Sequence, residues 1–113
     1  MKTETILGTS SIRAAADLVK HRFIGFDGNL CGANAKARGV SAADTKSGQI
    51  CPINIAGEVL VESGGAITAG VPVASDANGK AVSVAGRPNL EAVNGYAVDA
   101  ASGAGEFIRV RLV

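Results

Sequence analysis

Residues 62–84 read ESGGAITAGVPVASDANGKAVSV, and short apolar runs alternate there with turn-forming residues. Gly70 can adopt a positive φ without steric cost, and Pro72 holds the residue before it in the extended region. Asp76 and Gly79 enclose a segment typical of a β-turn between two apolar runs. The stretch therefore predicts strand, turn, strand, turn, strand. Its turns are shaped by Gly70, Pro72, Asp76 and Gly79.

Residues 107–113, FIRVRLV, show the clearest alternation of side chains in the chain. One face would carry Ile108, Val110 and Leu112, and the other Phe107, Arg109, Arg111 and Val113. A period of two predicts a β-strand with one buried face. Two more strands are predicted at 49–55 and 58–62, with Pro52 indicating a sheet edge or a bulge.

The sequence also predicts two similar halves. The matches at one constant spacing are Leu18 with Ile67, Ile24 with Val73, and Asp27 with Asp76. Slightly wider spacings align Gly39 with Gly95, Gly48 with Gly105, and Cys51 with Ile108. We therefore predict that 17–55 and 66–112 are two copies of one unit, with an insertion at 85–92 in the second copy.

Residues 12–21 are the one segment in which a helix competes with extended chain. Ser10 or Ser11 would be a suitable N-cap, and the apolar residues from Ile12 onward fall on one helical face. Its counterpart in the second copy, residues 66–73, contains Gly70 and Pro72, which do not suit a helix interior. We therefore predict mostly extended chain or loop at 12–21, then a strand at 22–27 and a turn at 27–29.

The length of 113 residues suits one domain with one core. We predict an N-terminal arm at 1–15, whose order depends on contacts outside its own domain, and a single β domain at 16–113. Two similar halves of antiparallel strands predict a mainly β fold with little helix. The expected architecture is a small antiparallel β-barrel or sandwich with an extended N-terminal arm.

The composition excludes several classes of partner. Eleven basic and ten acidic side chains are scattered along the chain and leave a net charge of +1, which argues against nucleic-acid binding. No apolar run reaches membrane-spanning length, and 1–11 lacks the apolar core of a signal peptide. A soluble protein made in the cytoplasm is expected, with Cys31 and Cys51 as two buried thiols in a reducing compartment.

No catalytic residue, cofactor site or metal site is predicted. His21 is the only histidine and lies between two basic residues, which indicates an exposed, solvated imidazole. Lys80 beside a turn suggests one alternative function, a small β-barrel carrier or binding module of the lipoyl or biotinyl kind. Those carriers have Asp-Lys-Ala or Met-Lys-Met at the tip, whereas Asn78 and Gly79 occupy the turn here.

Several segments resemble the head decoration, or capsid cement, proteins of tailed bacteriophages. They are GGAITAGVPVASDANGKAV at 64–82, GYAVDAA at 95–101, and GAGE at 103–106 leading into FIRVRLV. The resemblance covers about residues 38–113 and includes GVSAADTKSGQ at 39–49. Segment 12–21 does not match the family pattern, which leaves the boundary of the arm open.

The resemblance implies a structural virion protein that is not an enzyme. Such a protein is made in the host cytoplasm, binds the outer surface of the assembled capsid as a homotrimer on the major capsid protein, and stabilises the capsid. Family members often contact the capsid through an N-terminal segment. By that analogy an edge strand of the capsid would pair by β-augmentation with Thr3, Glu4, Thr5, Ile6 and Leu7.

Overall fold

Eight β-strands and their turns make up residues 2–84 and 93–113, the part of the chain that the computed structural model describes. The strands are β1 (Thr5–Arg13), β2 (Phe23–Ile24), β3 (Gly39–Ser41), β4 (Ile50–Glu62), β5 (Pro72–Ser75), β6 (Ala81–Ser83), β7 (Gly95–Ala97) and β8 (Phe107–Leu112). None of the described residues is helical, so none belongs to a helix that could cross a membrane. The predicted insertion at 85–92 lies outside the described residues.

All eight strands belong to one antiparallel sheet in the order β2-β3-β4-β8-β7-β5-β6, with β1 added to β4. The sheet curls until its two ends approach each other. At this seam the Phe23 N–H of β2 donates to the carbonyl of Gly79, just before β6, at 2.7 Å. This nearly closed barrel confirms the predicted mainly β fold.

The interior of the barrel is filled by aliphatic side chains. The larger cluster includes the fully buried side chains of Phe23, Val40, Val59, Val61, Val73, Ile108 and Val110, and a smaller one contains Ala14, Leu18, Ile24, Cys51 and Ile53. Burial of Ile108 and Val110, with Phe107 and Arg111 exposed, confirms the predicted alternation of β8. The two cysteines are buried free thiols in separate clusters, and burial raises the pKa of Cys31.

Strand β4 is the longest element and pairs along both of its edges. The predicted strands 49–55 and 58–62 are one continuous strand, because the chain passes through Gly57 with φ of 109° instead of turning there. One edge of β4 pairs with β1. The other edge pairs with β3 near the start of β4 and with β8 from Glu58 to Glu62. Strand β4 is therefore shared by the two predicted halves.

Corresponding backbone contacts recur in the two halves at the positions that the sequence comparison aligned. They include the pairs Phe23–Val40 and Pro72–Tyr96, the pairs Ser41–Ile53 and Ala97–Val110, and the bonds His21 N to Ser41 O and Gly70 N to Ala97 O. The pairing of β1 with β4 in the first half corresponds to the pairing of β4 with β8 in the second. Residues 9–13 pair with 54–50, and the aligned residues 58–62 pair with 111–107. These contacts support the proposed duplication of 17–55 and 66–112, which stays a prediction.

The stretch 62–84 forms the end of β4, a loop, and the hairpin of β5 and β6. Pro72 begins β5, after Gly70 with φ of 89°. The hairpin turn is held by Asp76, whose Oδ1 accepts the N–H groups of Asn78 at 2.8 Å and Lys80 at 2.9 Å. The Gly79 N–H bonds back to the Asp76 carbonyl at 3.2 Å.

Segment 12–21 contains no helical residue, in agreement with the expectation of mostly extended chain or loop. The strand expected at 22–27 is shorter than predicted, since β2 has only two residues. His21 was predicted to be exposed, but it is half-buried with φ of 66°, and its ring lies edge-on to Phe107 at 5.2 Å between centroids. The chain needs a left-handed residue there, as it does at the aligned Gly70, and this backbone turns the imidazole toward β8. Desolvation by burial lowers the pKa of His21.

Asp99 and Arg109 form a bidentate ion pair on the barrel wall. The Nη2 and Nε atoms of Arg109 each lie 2.9 Å from an oxygen of Asp99, and the Arg109 N–H donates to the same carboxylate at 2.9 Å. Hydrogen bonds from the Arg109 side chain, together with its backbone N–H, lower the pKa of Asp99 to about 2.

We expect this pair to contribute fully to stability above about pH 4 and to lose most of that contribution as the pH falls to about 2. Because the pKa is lower in the folded chain, the contribution is complete above the unfolded pKa and is lost as the pH falls through the folded one. Denaturant unfolding between pH 2 and 6 should show the wild type losing about 1 kcal/mol relative to Asp99→Asn, since solvent partly screens the pair. Parallel pH profiles for the two proteins would contradict this assignment.

Candidate interaction surface

The candidate contact residues lie on the outer edge of the sheet. The set is Thr3, Glu4, Thr5, Ile6 and Leu7. Thr5 pairs with Glu58 and Ile6 with Gly57, so the segment is part of the sheet within its own chain. The side chain of Leu7 is 76% exposed and that of Ile6 is 38% exposed. The first strand therefore presents apolar side chains to solvent.

Two polar contacts fix the beginning of the N-terminal segment. The Glu4 carboxylate accepts the backbone N–H of Leu60 in β4 at 2.8 Å. The Lys2 ammonium donates to the carbonyl of Phe107 at the start of β8 at 2.6 Å. These contacts place residues 2–4 beside the second half of β4, at an edge with which no strand of residues 2–84 and 93–113 pairs.

The path of the segment depends on Gly57. Strand β1 shifts register on both sides of Gly8, opposite Ala56 and Gly57. A Cβ atom on Gly57 would lie 2.1 Å from the Thr5 carbonyl oxygen and 2.9 Å from the Leu7 nitrogen. The positive φ at Gly57 is itself unfavourable for any side chain. Only glycine lets Thr5 and Leu7 approach β4 this closely.

A shallow groove of about 450 Å³ lies beside this segment. The apolar side chains of Leu7, Ala56 and Leu112 line it, together with the charged Glu58 and Arg111. A groove that combines apolar side chains with charges of both signs suits binding to another protein.

The outer edge of β1 has no strand partner among residues 2–84 and 93–113. Unpaired N–H and C=O groups on an edge strand are a template for pairing with another chain. Along this edge Thr5, Thr9 and Ser11 are exposed. The free edge, Leu7 and the groove form one continuous candidate site, which we call the β1 surface.

Neither Gly57 nor Arg111 was among the predicted site residues. The available signal is the match of TILG at 5–8 with NIAG at 54–57, which has the same spacing as the first-half matches. Extending the comparison upstream of residue 17 would have aligned Gly8 with Gly57 and marked both strands as parts of one repeated pattern.

Lys80 is not presented as an attachment site. Its ammonium lies 3.2 Å from the Glu62 carboxylate, which also binds the Arg22 guanidinium at 3.2 Å. Asn78 and Gly79 occupy the tip of the turn. A carrier lysine has to project freely from its hairpin, so this geometry does not favour the carrier alternative.

A second cleft of about 300 Å³ lies near Asp17, Asp44 and Lys46. Its carboxylates serve the fold, since Asp17 accepts the Ser47 N–H at 2.9 Å and Asp44 accepts the Lys20 N–H at 2.8 Å. No group of three or more His, Cys, Asp or Glu side chains in the described ranges is placed to hold a metal ion.

Comparison with known proteins identifies the family. The model of the phage cement protein family matches residues 3–112, nearly the whole chain. The chain belongs to the phage cement protein family. It is accordingly a capsid-associated structural protein of a phage virion. This membership confirms the resemblance to capsid cement proteins that the sequence segments indicated.

A solved structure shares the fold. The N base of the head fiber gp8.5 in bacteriophage phi29 superposes with a TM-score of 0.74, at 22% sequence identity, over 94% of this chain and 93% of that chain. At this identity the likeness shows a common fold alone. No curated protein matches the chain.

Proposed function

We propose that the protein binds the outer surface of the assembled capsid and stabilises it, with no catalytic activity of its own. The β1 surface carries this proposal, because a free strand edge with exposed Leu7 beside a groove of mixed apolar and charged lining suits a protein partner. The partner is the major capsid protein, and an edge strand of that protein adds to the sheet by β-augmentation through residues 3–7. The homotrimeric state rests on the family resemblance.

Stabilisation follows from mass action. A ligand that binds only the assembled lattice stabilises it by RT ln(1 + [L]/Kd) at each site. The free-energy gains add over the many equivalent sites of a capsid, so moderate affinity at each one suffices. The protein then needs a rigid fold, a complementary surface and no reactive group.

The test uses heads purified from a phage whose copy of this gene is deleted. Purified protein should cosediment with expanded heads to a saturating ratio, and decorated heads should release their DNA at a higher temperature than bare heads. Unexpanded shells serve as the control and should bind less. Absence of cosedimentation with expanded heads, or equal release temperatures after saturation, would overturn the proposal.

A further inference from the structure

The backbone N–H of Ser11 lies on the outer edge of β1 and points away from β4. Ser11 pairs with Pro52, which has no N–H, and the Pro52 carbonyl is directed to the opposite side of β4, where it accepts the Ala42 N–H at 2.9 Å. Ser11 and Pro52 therefore form a non-hydrogen-bonded pair. In such a pair the N–H of Ser11 faces outward, and no bond to it is present within residues 2–84 and 93–113.

The same position in the second half of the molecule carries a carboxylate. Leu60 in β4 pairs with Arg109 in β8. The Arg109 carbonyl faces away from β4 and accepts the Val98 N–H at 2.8 Å. The outward N–H of Leu60 is capped by the Glu4 carboxylate at 2.8 Å. Residues 9–13 and 58–62 have matching registers, so Ser11 is the counterpart of Leu60 without its acidic cap.

A cation lies beside this uncapped group. The guanidinium of Arg38 donates to the Ser11 carbonyl at 2.8 Å and to the Ser10 hydroxyl at 3.0 Å, both neutral oxygens. No carboxylate lies within 4 Å of it in the described part of the chain. The carboxylate of Asp27, in the turn that adjoins the end of β1, is directed to Asn29.

We propose that the edge of β1 at Thr9–Ser11 binds an antiparallel strand of the capsid protein, and that an Asp or Glu of that strand caps the Ser11 N–H and pairs with Arg38. The proposal rests on the proposed function and specifies the partner's chemistry, orientation and position. The internal precedent is Glu4, which reaches Leu60 from an antiparallel strand whose next residue, Thr5, pairs with Glu58. Charge complementarity is supplied by Arg38, since a neutral strand would leave this guanidinium without a counter-ion.

A second copy of this chain is the alternative source of the acidic strand. Its own segment 2–6 is already bound to its own β4, through Glu4 and the pairs of Thr5 and Ile6. Supplying that segment in trans would require each copy to give up these bonds. The capsid strand is therefore the occupant to which the proposal commits.

The first experiment compares Ser11→Pro with Ser11→Ala in binding to expanded heads. Proline removes the outward N–H and blocks strand addition, yet it is accepted on an edge strand where the N–H faces solvent. We expect Ser11→Pro to weaken binding about tenfold or more, and Ser11→Ala to stay within about twofold of wild type. Equal binding of both variants would overturn the proposal.

Arg38 is tested by a pair of variants that differ in charge. Arg38→Gln should weaken binding about tenfold, because the partner carboxylate loses its counter-ion, and Arg38→Lys should retain most of the affinity. Equal affinities for the two variants would show that no carboxylate meets Arg38, and the acidic part of the proposal would fail.

Amide hydrogen exchange on the wild-type protein keeps the proposal testable even if Ser11→Pro does not fold. The Ser11 amide should exchange fast in the free protein and at least tenfold more slowly in protein bound to heads. Binding without protection of Ser11 would overturn this inference and leave the proposed function intact, whereas no binding at all would contradict the proposed function. Concentration-dependent self-association that Ser11→Pro abolishes would identify a second copy as the occupant and also overturn the inference.

Discussion

Removal of residues 1–7 should lower binding to expanded heads roughly a hundredfold, equivalent to about 3 kcal/mol, while the barrel remains folded. The deletion takes away exposed Leu7, one side of the groove and the first residues of the β1 edge. None of the deleted side chains belongs to the two buried clusters. Cosedimentation with heads that lack the native protein gives the occupancy, and thermal unfolding of the free protein reports the fold.

A single substitution tests the contribution of the Leu7 side chain without changing the course of the backbone. Leu7→Ser keeps β1 intact and should reduce head binding about tenfold, because it removes an apolar anchor from an otherwise unchanged surface. Val113→Ser is the matched control, since Val113 is 65% exposed but does not line the groove beside Leu7.

For the deletion of residues 1–7, full decoration of heads by the shortened protein would show that the capsid contacts lie elsewhere.

Gly57→Ala should lower the free energy of unfolding by about 3 kcal/mol, which is large for a methyl group at a partly exposed position. The added Cβ would lie 2.1 Å from the Thr5 oxygen, and alanine would have to adopt the φ of 109°. The chain can relieve the contact only by separating β1 from β4. The same variant should therefore also show faster amide exchange at residues 5–7 and weaker head binding.

Gly65→Ala is the control for this effect. Gly65 has ordinary φ, and no heavy atom within 4 Å would meet its Cβ, so its free energy of unfolding should change by less than about 0.5 kcal/mol. Urea denaturation measures both variants. Equal losses from the two substitutions would mean that close approach of β1 at Gly57 does not limit stability.

Local patterns predicted the elements whose structure is decided locally. The alternation in FIRVRLV indicated both the strand and its buried face, because period-two burial needs only a neighbouring sheet. The segment around Asp76 encodes its own turn through side-chain bonds to nearby N–H groups. Comparison of the halves argued against a helix at 12–21, since the end of this segment aligns with Gly70, and Pro72 follows two residues later.

The pairing of β1 with β4 was not predictable from these patterns. It joins residues that lie between 37 (Arg13 and Ile50) and 53 (Thr5 and Glu58) positions apart, and the exposed Thr and Ser of β1 carry no period that selects a partner. The burial of His21 was missed for a related reason, since its neighbours Lys20 and Arg22 are polar while its contact with Phe107 is long-range. The β1 surface is built from such long-range pairs, which is why no local pattern indicated Gly57 or Arg111, while residues 3–7 were proposed only by analogy with the family.

The shared strand β4 also determines how a mechanical load would pass through the molecule. A pull on the N-terminal segment along the strand axis enters β1 and stretches its hydrogen bonds to β4 together, in shear, instead of breaking them one after another. Because β4 runs through both halves, it distributes this tension to β3 on one side of Gly57 and to β8 on the other. A load on the N-terminal segment is thus carried into both halves of the barrel through β4.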